Sequence, residues 1–302
     1  AVGSILAAVG TALPETIVPL VAILGAYLAH TDVNVGKEIG IGAILGAPFL
    51  LSTLAMFVTG LAVVIFRSMG KREHKMNANY VVMFRDLKFF FFSYTLAIIA
   101  GFIHIKPLKY ACAIGLFVYY IVYVFRTLNC SHSQSGECAE VEDLLFQKIF
   151  RKYNTFLVWL QVIVSIGALI CFAHMFVGQI KFFASLFHIN PLVLSLILAP
   201  IATELPEKFN SVLWVSQNKD TLALGNITGA MVFQSCIPTA IGILLTPWVF
   251  GMESIINIVL VYCSTLLLFF NLYRDKHFSA HILVTCGVFY VIYLGYIFWK
   301  MI

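Results

Sequence analysis

The sequence predicts an all-α membrane protein: a polytopic helical bundle of two inverted five-helix repeats, with the first helix absent from this chain. Three observations predict this fold class. The 302 residues are 61% hydrophobic and only 11% charged, whereas soluble domains carry about 25% charged residues. Apolar runs long enough to cross a bilayer, about 20 residues each, recur along the whole chain. A proline-containing motif occurs twice, once in each half.

The apolar runs give nine visible spans, and each of them should be a helix. A chain inside lipid must satisfy its own backbone hydrogen bonds, and these runs are too long for barrel strands. The predicted spans are 1–28, 38–66, 83–105, 108–126, 156–187, 191–217, 221–246, 250–272 and 279–300. The second half has one span before its motif and the first half has none, so we expect a tenth helix upstream of Ala1.

A polar loop at 127–152 divides the chain into a first repeat, 1–126, and a second repeat, 153–302. Lysine and arginine are concentrated on the side that holds this loop and the stretch from Arg67 to Lys88. The side rich in these residues is usually cytoplasmic. We therefore expect a multi-pass protein of the plasma membrane with a cytoplasmic central loop. The formal net charge of +5 suits a lipid bilayer with anionic head groups and requires no nucleic-acid partner.

The central loop also contains Cys130, His132 and Cys138, which raises the alternatives of a metal site and a disulfide. Their spacing matches no standard zinc pattern, and disulfides are rare in the cytoplasm. We expect neither.

Two motifs recur in the same order in both halves. GTALPET at 10–16 matches ATELPEK at 202–208, and GAILGAPF at 42–49 matches GNITGAMVF at 225–233. The positions of the basic loops turn the first leading helix outward and the second inward. The halves are therefore predicted to be inverted-topology repeats, which are typical of secondary transporters. The glycines of the second motif predict close helix packing.

Acidic residues near the middle of spans are confined to the first motif, at Glu15, Glu204 and Glu207. A charged residue at the bilayer centre costs at least about 2.5–3.5 kcal/mol, so the matched placement indicates a function. The alternative is that Glu15 and Glu207 pair with a lysine and only fix packing.

A proline precedes each central glutamate and predicts a break in its helix. Pro14 and Pro206 have no N–H, so each frees a carbonyl four residues earlier. Further oxygens come from the threonines four residues before each glutamate, on the same helix face. Besides the carboxylates of Glu15 and Glu207, the predicted oxygen ligands of the cation come from Gly10, Thr11, Ala202 and Thr203. Clusters of oxygen ligands favour hard cations such as calcium, sodium or magnesium.

Several polar residues occur only in the second half. Glu204 either binds a cation or a proton, or it pairs with Lys208 four residues later and keeps that lysine out of the cation site. Asn226 and Gln234 are candidates to reach the site from the next helix. His174, in the span before the motif, is expected to be a packed neutral histidine, with a titratable group as the alternative.

These paired motifs in inverted halves resemble the two alpha-repeats of the cation/calcium exchanger superfamily, which includes sodium/calcium exchangers. The resemblance covers the whole chain. It implies a ten-helix fold whose motif helices enclose the ion site and alternate between the two faces of the membrane. The central glutamates of that family correspond to Glu15 and Glu207, and its motif threonines correspond to Thr11 and Thr203.

The sequence departs from the sodium/calcium exchanger pattern at several neutral donors. Serines that the family places after the motif threonines are Ala12 and Glu204 here, and serines expected in the partner helices are Ala47 and Ala230. The asparagine or aspartate further along is Leu51 in the first copy and Gln234 in the second. These changes remove oxygens that would hold sodium, and Glu204 adds an acid that could carry a proton.

The expected function is secondary active antiport, in which a divalent cation, with calcium as the leading candidate from the sequence, is exchanged for protons or sodium. The expected ligands are these inorganic cations, and no cofactor is expected. Two buried carboxylates without a counter-ion must be neutralised by a divalent ion or by protons or sodium, which is a physical basis for exchange. A sodium/proton antiporter and, further off, a cation channel are the alternatives. No nucleophile–base or metalloprotease motif indicates an enzyme.

Overall fold

The structure is a computed structural model that describes residues 12–28, 32–72, 75–131 and 155–301 of the chain. The part described is almost entirely α-helical, with one short two-stranded ribbon. The helices are α1 (Leu13–Leu28), α2 (Val33–Leu50), α3 (Met56–Ser68), α4 (Tyr80–Phe102), α5 (Lys106–Ser131), α6 (Thr155–Leu186), α7 (Pro191–Ser216), α8 (Asp220–Leu245), α9 (Met252–Asp275) and α10 (Ala280–Met301). A π-helical turn, Leu51–Ala55, joins α2 to α3 without a break, so the described residues form nine continuous helical segments, one for each predicted span.

Six stretches of the described chain are long and apolar enough to span a membrane by length and hydropathy alone: 33–68, 106–128, 156–186, 220–245, 252–275 and 280–300. Helix α1 has only 16 described residues. Helices α4 and α7 contain several charged side chains (Arg85, Asp86 and Lys88 in α4; Glu204, Glu207 and Lys208 in α7). Charge inside a spanning helix usually marks a site that does more than hold the fold.

The predicted start of the central loop at 127 is wrong, because α5 continues as helix to Ser131. Threonine at 127 does not end the helix, since its hydroxyl donates to the carbonyl of Tyr123, 2.8 Å away, within the same helix. The side chains of Cys130, His132 and Cys138 lie outside the described residues.

Three loops meet on the basic side of the bundle. Strand β1 (Lys75–Met76), after α3, pairs antiparallel with β2 (Phe278–Ser279), before α10. Arg72 forms a buried bidentate pair with Asp220 at the start of α8, with nitrogen–oxygen distances of 2.9 and 3.0 Å. These contacts hold the loops before α4, α8 and α10 on one face, so α1 and α7 run in opposite directions, as inverted repeats require.

Helix α2 packs against α7 at closest range. A Cβ on Gly42 would strike the carbonyl of Leu192, and one on Gly46 would strike the carbonyl of Leu196. Only glycine allows backbones to approach this closely. The second copy is different: the nearest atoms to a Cβ on Gly225 or Gly229 would be 3.6 and 3.5 Å away, which is ordinary contact.

Candidate cation site

The two motif helices bring three carboxylates together. Helix α1 contributes Glu15 from its first turn, and α7 contributes Glu204 and Glu207 from its middle. One carboxylate oxygen of each lies within 4.8 Å of the others. The cluster therefore forms where the two copies of the first motif meet, from glutamates that are 189 and 192 residues apart in sequence.

Glu15 is the member of this cluster whose carboxylate has no hydrogen-bond partner among the described residues. Its side chain is 5% exposed, and neither carboxylate oxygen accepts a hydrogen bond from another described residue. Its predicted neighbours Gly10 and Thr11 lie outside the described residues. A buried carboxylate without donors has lost its hydration without compensation, so a bound cation or proton would stabilise it.

The carboxylates of α7 lie in a network that includes a lysine. The Lys208 ammonium, 1% exposed, is 3.4 Å from an oxygen of Glu204 and 3.4 Å from an oxygen of Glu207. Helix α8 completes the network: Gln234 Nε2 donates to Glu204 at 3.0 Å, and Lys208 donates to the amide oxygen of Asn226 at 2.8 Å. Glu207 is the most open of the three acids, at 17% exposed.

The lysine changes two expectations. The idea that pairing with Glu204 keeps Lys208 out of the cluster is wrong, because the same ammonium also contacts Glu207. The expectation of carboxylates without a counter-ion is also wrong for α7, where Lys208 contacts both acids. With all groups ionised, three carboxylates and one ammonium give a formal charge of −3 + 1 = −2.

The neutral polar side chains predicted on α7 and α8 form hydrogen bonds within the protein, but the amide oxygen of Gln234 is buried without a partner among the described residues. Thr203 Oγ1 donates to the carbonyl of Ala199 at 3.1 Å, which leaves the lone pairs of the hydroxyl free. Asn226 directs its oxygen at Lys208 rather than at the acids, whereas Gln234 reaches Glu204 as the sequence suggested.

The break predicted at Pro206 does not form. Helix α7 continues through Pro200 and Pro206 to Ser216, because one missing hydrogen bond can be tolerated where neighbouring helices hold the backbone. The carbonyl of Ala202 still receives no hydrogen bond from Pro206, which has no N–H.

His174 is not the packed histidine that the sequence suggested. It is exposed on α6, and its Nδ1 would be 3.9 Å from a Cβ on Gly25 of α1. The reason is that α6 lies at the periphery, with few of its side chains buried among the described residues.

The model of the sodium/calcium exchanger protein family matches residues 1–129 and 157–302. This chain belongs to the sodium/calcium exchanger family. The resemblance inferred from the motifs is therefore confirmed, and the exchanger is a transporter rather than an enzyme. A comparison with curated proteins found no significant match to the chain.

The fold of the exchanger is shared with solved structures. One is the crystal structure of the H+/Ca2+ exchanger CAX, with 15% identity and a TM-score of 0.69 over 98% of this chain and 78% of that chain. Another is native YfkE, with 16% identity and a TM-score of 0.69 over 98% and 84%. A third, selenium-substituted Ca2+/H+ antiporter protein YfkE, has 15% identity and a TM-score of 0.64 over 97% and 85%. At these identities the likeness establishes the fold.

The exchanger also contains a buried acid that sequence reasoning missed. Asp86 of α4, 2% exposed, accepts hydrogen bonds from Thr228 Oγ1 at 2.9 Å and from the Tyr123 hydroxyl at 3.2 Å. Its neighbour Arg85 also pairs with it at 2.9 Å. In the sequence, Asp86 lies between Arg85 and Lys88 and is interpreted as part of a basic loop. Thr228, a polar residue inside the second G-x-x-x-G run, could have indicated a buried polar partner on another helix.

Proposed function

We propose that this exchanger carries a divalent cation, calcium in preference to others, in exchange for protons, and that the cation binds between Glu15, Glu204 and Glu207. The observation that carries the proposal is Glu15: a carboxylate buried beside two others, with no donor among the described residues. Carboxylate oxygens that converge at membrane depth suit a hard divalent cation. The site alternates between the two membrane faces as the inverted halves rock against each other.

The formal charge of the cluster supports exchange of one divalent cation for two protons. A charge of −2 inside low-dielectric protein is too costly to leave uncompensated. One calcium ion cancels it, and two protons cancel it as well. Because each form excludes the other, the loaded states can cross and the empty, charged state cannot.

Protons are favoured over sodium as the coupling ion by what surrounds the acids. Sodium sites need several neutral oxygens, and alanines stand at 47 and 230 where the family pattern has hydroxyls. The amide oxygen of Asn226 accepts a hydrogen bond from Lys208. Gln234 donates its amide nitrogen to Glu204, and its oxygen, without a hydrogen-bond partner among the described residues, is a single neutral ligand where sodium needs several. Two of the solved structures of similar fold are an H+/Ca2+ exchanger and a Ca2+/H+ antiporter, which supports the same coupling here.

The basic face that joins the loops before α4, α8 and α10 is proposed to be cytoplasmic, in the plasma membrane. The support is the concentration of lysine and arginine on that face, according to the positive-inside rule.

The test is uptake of labelled calcium into proteoliposomes that contain the purified chain. An imposed pH gradient should drive uptake, and a sodium gradient of the same size should drive little. Glu38→Gln serves as a matched control, because Glu38 lies on α2 outside the carboxylate cluster. Sodium-dependent uptake that ignores pH would overturn proton coupling. Sodium flux without calcium would favour a sodium/proton antiporter, and uncoupled flux at channel rates would favour a channel.

A further inference from the structure

A row of buried polar side chains follows the junction of α9 and α10, where these two helices meet α2. Their terminal oxygen and nitrogen atoms have no hydrogen-bond partner among the described residues. The row consists of Ser254, Asn257, Thr265, Tyr290 and Tyr293. Asn257 is fully buried, and both its amide oxygen and its amide nitrogen belong to this set. Buried polar groups are usually hydrogen-bonded, either to the protein or to ordered water.

An ion pair at the face opposite the basic face gives the depth of each group in the row. The ammonium of Lys300, near the end of α10, donates to the carboxylate of Glu253 at the start of α9. Since the two helices are antiparallel, each residue can be placed by its separation from this pair, at about 1.5 Å per residue. The groups then follow one another into the membrane in steps of about 3–5 Å, in the order Ser254, Asn257, Tyr293, Tyr290 and Thr265. A single water, with a hydrogen bond of about 2.8 Å on each side, bridges such a step.

The inner end of the row meets the π-helical turn between α2 and α3. Ser264 of α9 donates its hydroxyl to the carbonyl of Ser52 in this turn, at 2.6 Å. Tyr290 and Tyr293 both pack against the ring of Phe49, with centroid distances of 5.3 and 5.1 Å. The tyrosines therefore lie just before the turn. π-helical turns interrupt the regular hydrogen bonds of a helix and are frequent at functional sites.

The same turn lies at the depth of the carboxylate cluster. A Cβ on Gly242 of α8 would be 2.8 Å from the Ile44 side chain of α2. Because α2 and α8 run in opposite directions, eight residues along each helix from this contact bring Ser52 level with Gln234. Gln234 donates its amide nitrogen to Glu204 at 3.0 Å, and its amide oxygen is buried without a partner among the described residues. This oxygen is the next polar group that the row can reach.

We propose that the row holds a chain of ordered waters that carries protons between the opposite face and the carboxylate cluster, along a path separate from that of the cation. The inference rests on the proton coupling proposed above. A proton that enters beside Ser254 bonds to the first water, each water passes one proton to the next, and the last water protonates the Glu204 carboxylate beside Gln234. The reverse transfers release the proton.

The chemistry of the row suits protons and not the transported cation. Hydroxyl and amide groups can both donate and accept hydrogen bonds, so they can hold waters in either orientation. The five side chains are all neutral, so a divalent cation among them would be uncompensated in a low-dielectric interior.

The waters can be detected without any transport. Brief X-ray exposure of the reconstituted exchanger produces hydroxyl radicals in place from bound water, and mass spectrometry then locates the oxidised side chains. Tyr290 and Tyr293 should be oxidised although both are buried. Trp248 is the control, because it is also buried but its indole N–H donates to the carbonyl of Ala97 at 2.9 Å. Tyrosines that stay as unreactive as Trp248 would refute the water chain, whether or not the exchanger transports calcium.

Transport variants test whether these waters carry protons. Asn257→Leu removes both polar atoms, so calcium uptake driven by a pH gradient should fall about tenfold, which corresponds to about 1.4 kcal/mol for one hydrogen bond lost from the relay. Asn257→Ser keeps a hydroxyl and leaves room for a water, so it should transport like the unmodified exchanger. Thr285→Val is the control, because it removes an exposed hydroxyl of α10 that donates to its own helix.

Calcium binding and thermal unfolding separate loss of the relay from damage to the site. Asn257→Leu should bind calcium at fixed pH, and melt, like the unmodified exchanger, because its polar atoms have no partner among the described residues. Full uptake by this variant would refute the relay, even with both tyrosines oxidised. Weaker calcium binding would show instead that Asn257 supports the cation site. If a pH gradient drives no uptake by the unmodified exchanger, the proposed proton coupling fails and the relay fails with it.

Discussion

The two copies of the T-x-L-P-E motif differ at the positions that flank the central glutamate. In the first copy these positions are Ala12 and Thr16, and the Thr16 hydroxyl donates to the Ala12 carbonyl at 3.2 Å. In the second copy the same positions are Glu204 and Lys208, which form a buried pair at 3.4 Å. A local backbone contact in one half is thus an ion pair in the other.

This difference leaves the net charge of the site unchanged. The Glu204–Lys208 pair adds one negative and one positive charge, so the formal −2 is that of Glu15 and Glu207 alone. The pair adds a second acid and a cation on α7, while Glu15 on α1 has no hydrogen-bond partner among the described residues. The first copy therefore contributes one carboxylate to the site. The second copy contributes two carboxylates together with the lysine that pairs with them.

The largest expected effect follows from removing one central carboxylate at a time. Glu15→Gln and Glu207→Gln should each lower calcium exchange at least about 100-fold, since a unit charge about 4 Å from a cation contributes about 4 kcal/mol at an effective dielectric constant of 20. Their effects on stability should differ in sign. Glu15→Gln should raise the free energy of unfolding by about 1–3 kcal/mol, because it removes a buried acid without donors.

Glu207→Gln should lower the free energy of unfolding by about 1 kcal/mol, because Lys208 keeps Glu204 as its partner. Calcium flux in proteoliposomes and thermal unfolding in detergent measure the two quantities, with Glu38→Gln as the reference for both. If both variants lose stability equally, Glu15 has a partner and the contrast between the copies is wrong.

The second prediction breaks the ion pair. Lys208→Met should lower the free energy of unfolding by about 3–5 kcal/mol, since it leaves buried carboxylates without their counter-ion. Calcium exchange should fall as well, because the formal charge of the cluster becomes −3 and one divalent cation no longer cancels it. Glu204→Gln/Lys208→Met restores the formal −2 and should recover most of the stability, while calcium exchange should stay reduced because the cation has lost one of its three carboxylates. A double variant that exchanges calcium as well as the unmodified chain would show that Glu204 does not bind the transported ion.

The third prediction concerns the second motif, where the two copies pack differently. Gly46→Ala should lower the free energy of unfolding by about 1–3 kcal/mol, because the new methyl meets the Leu196 carbonyl and the Pro200 ring and a backbone cannot yield. Gly229→Ala should be neutral or stabilise by up to about 1 kcal/mol, since alanine favours helix and, among the described residues, its methyl meets only the Tyr123 hydroxyl, at 3.5 Å. Thermal unfolding of the two variants side by side checks this. Equal melting temperatures would contradict the asymmetry.

The fold was predictable because its determinants are local or repeated. Apolar runs set the spans, and the duplicated motif set the inversion and the position of the glutamates. What the sequence could not give is the direction of long side chains. The i,i+4 spacing predicted Lys208 beside Glu204, yet nothing in spacing shows that the same ammonium reaches Glu207 and Asn226. Likewise, Asp86 becomes a buried acid only because α4, α5 and α8 bring Tyr123 and Thr228 around it.

The smallest expected effect tests whether a neutral oxygen of α7 contributes to the site. The Thr203 hydroxyl donates its hydrogen to the Ala199 carbonyl. Its lone pairs are not used in that bond and are available to a cation. Thr203→Val keeps the shape and removes the oxygen, so calcium affinity should fall about fivefold, as expected for one neutral ligand contributing about 1 kcal/mol. Thr203→Ser keeps the oxygen and should bind as the unmodified chain does. Calcium titration of both variants decides: if valine binds as well as threonine, the hydroxyl serves only the helix, and the acids of the two copies hold the ion without it.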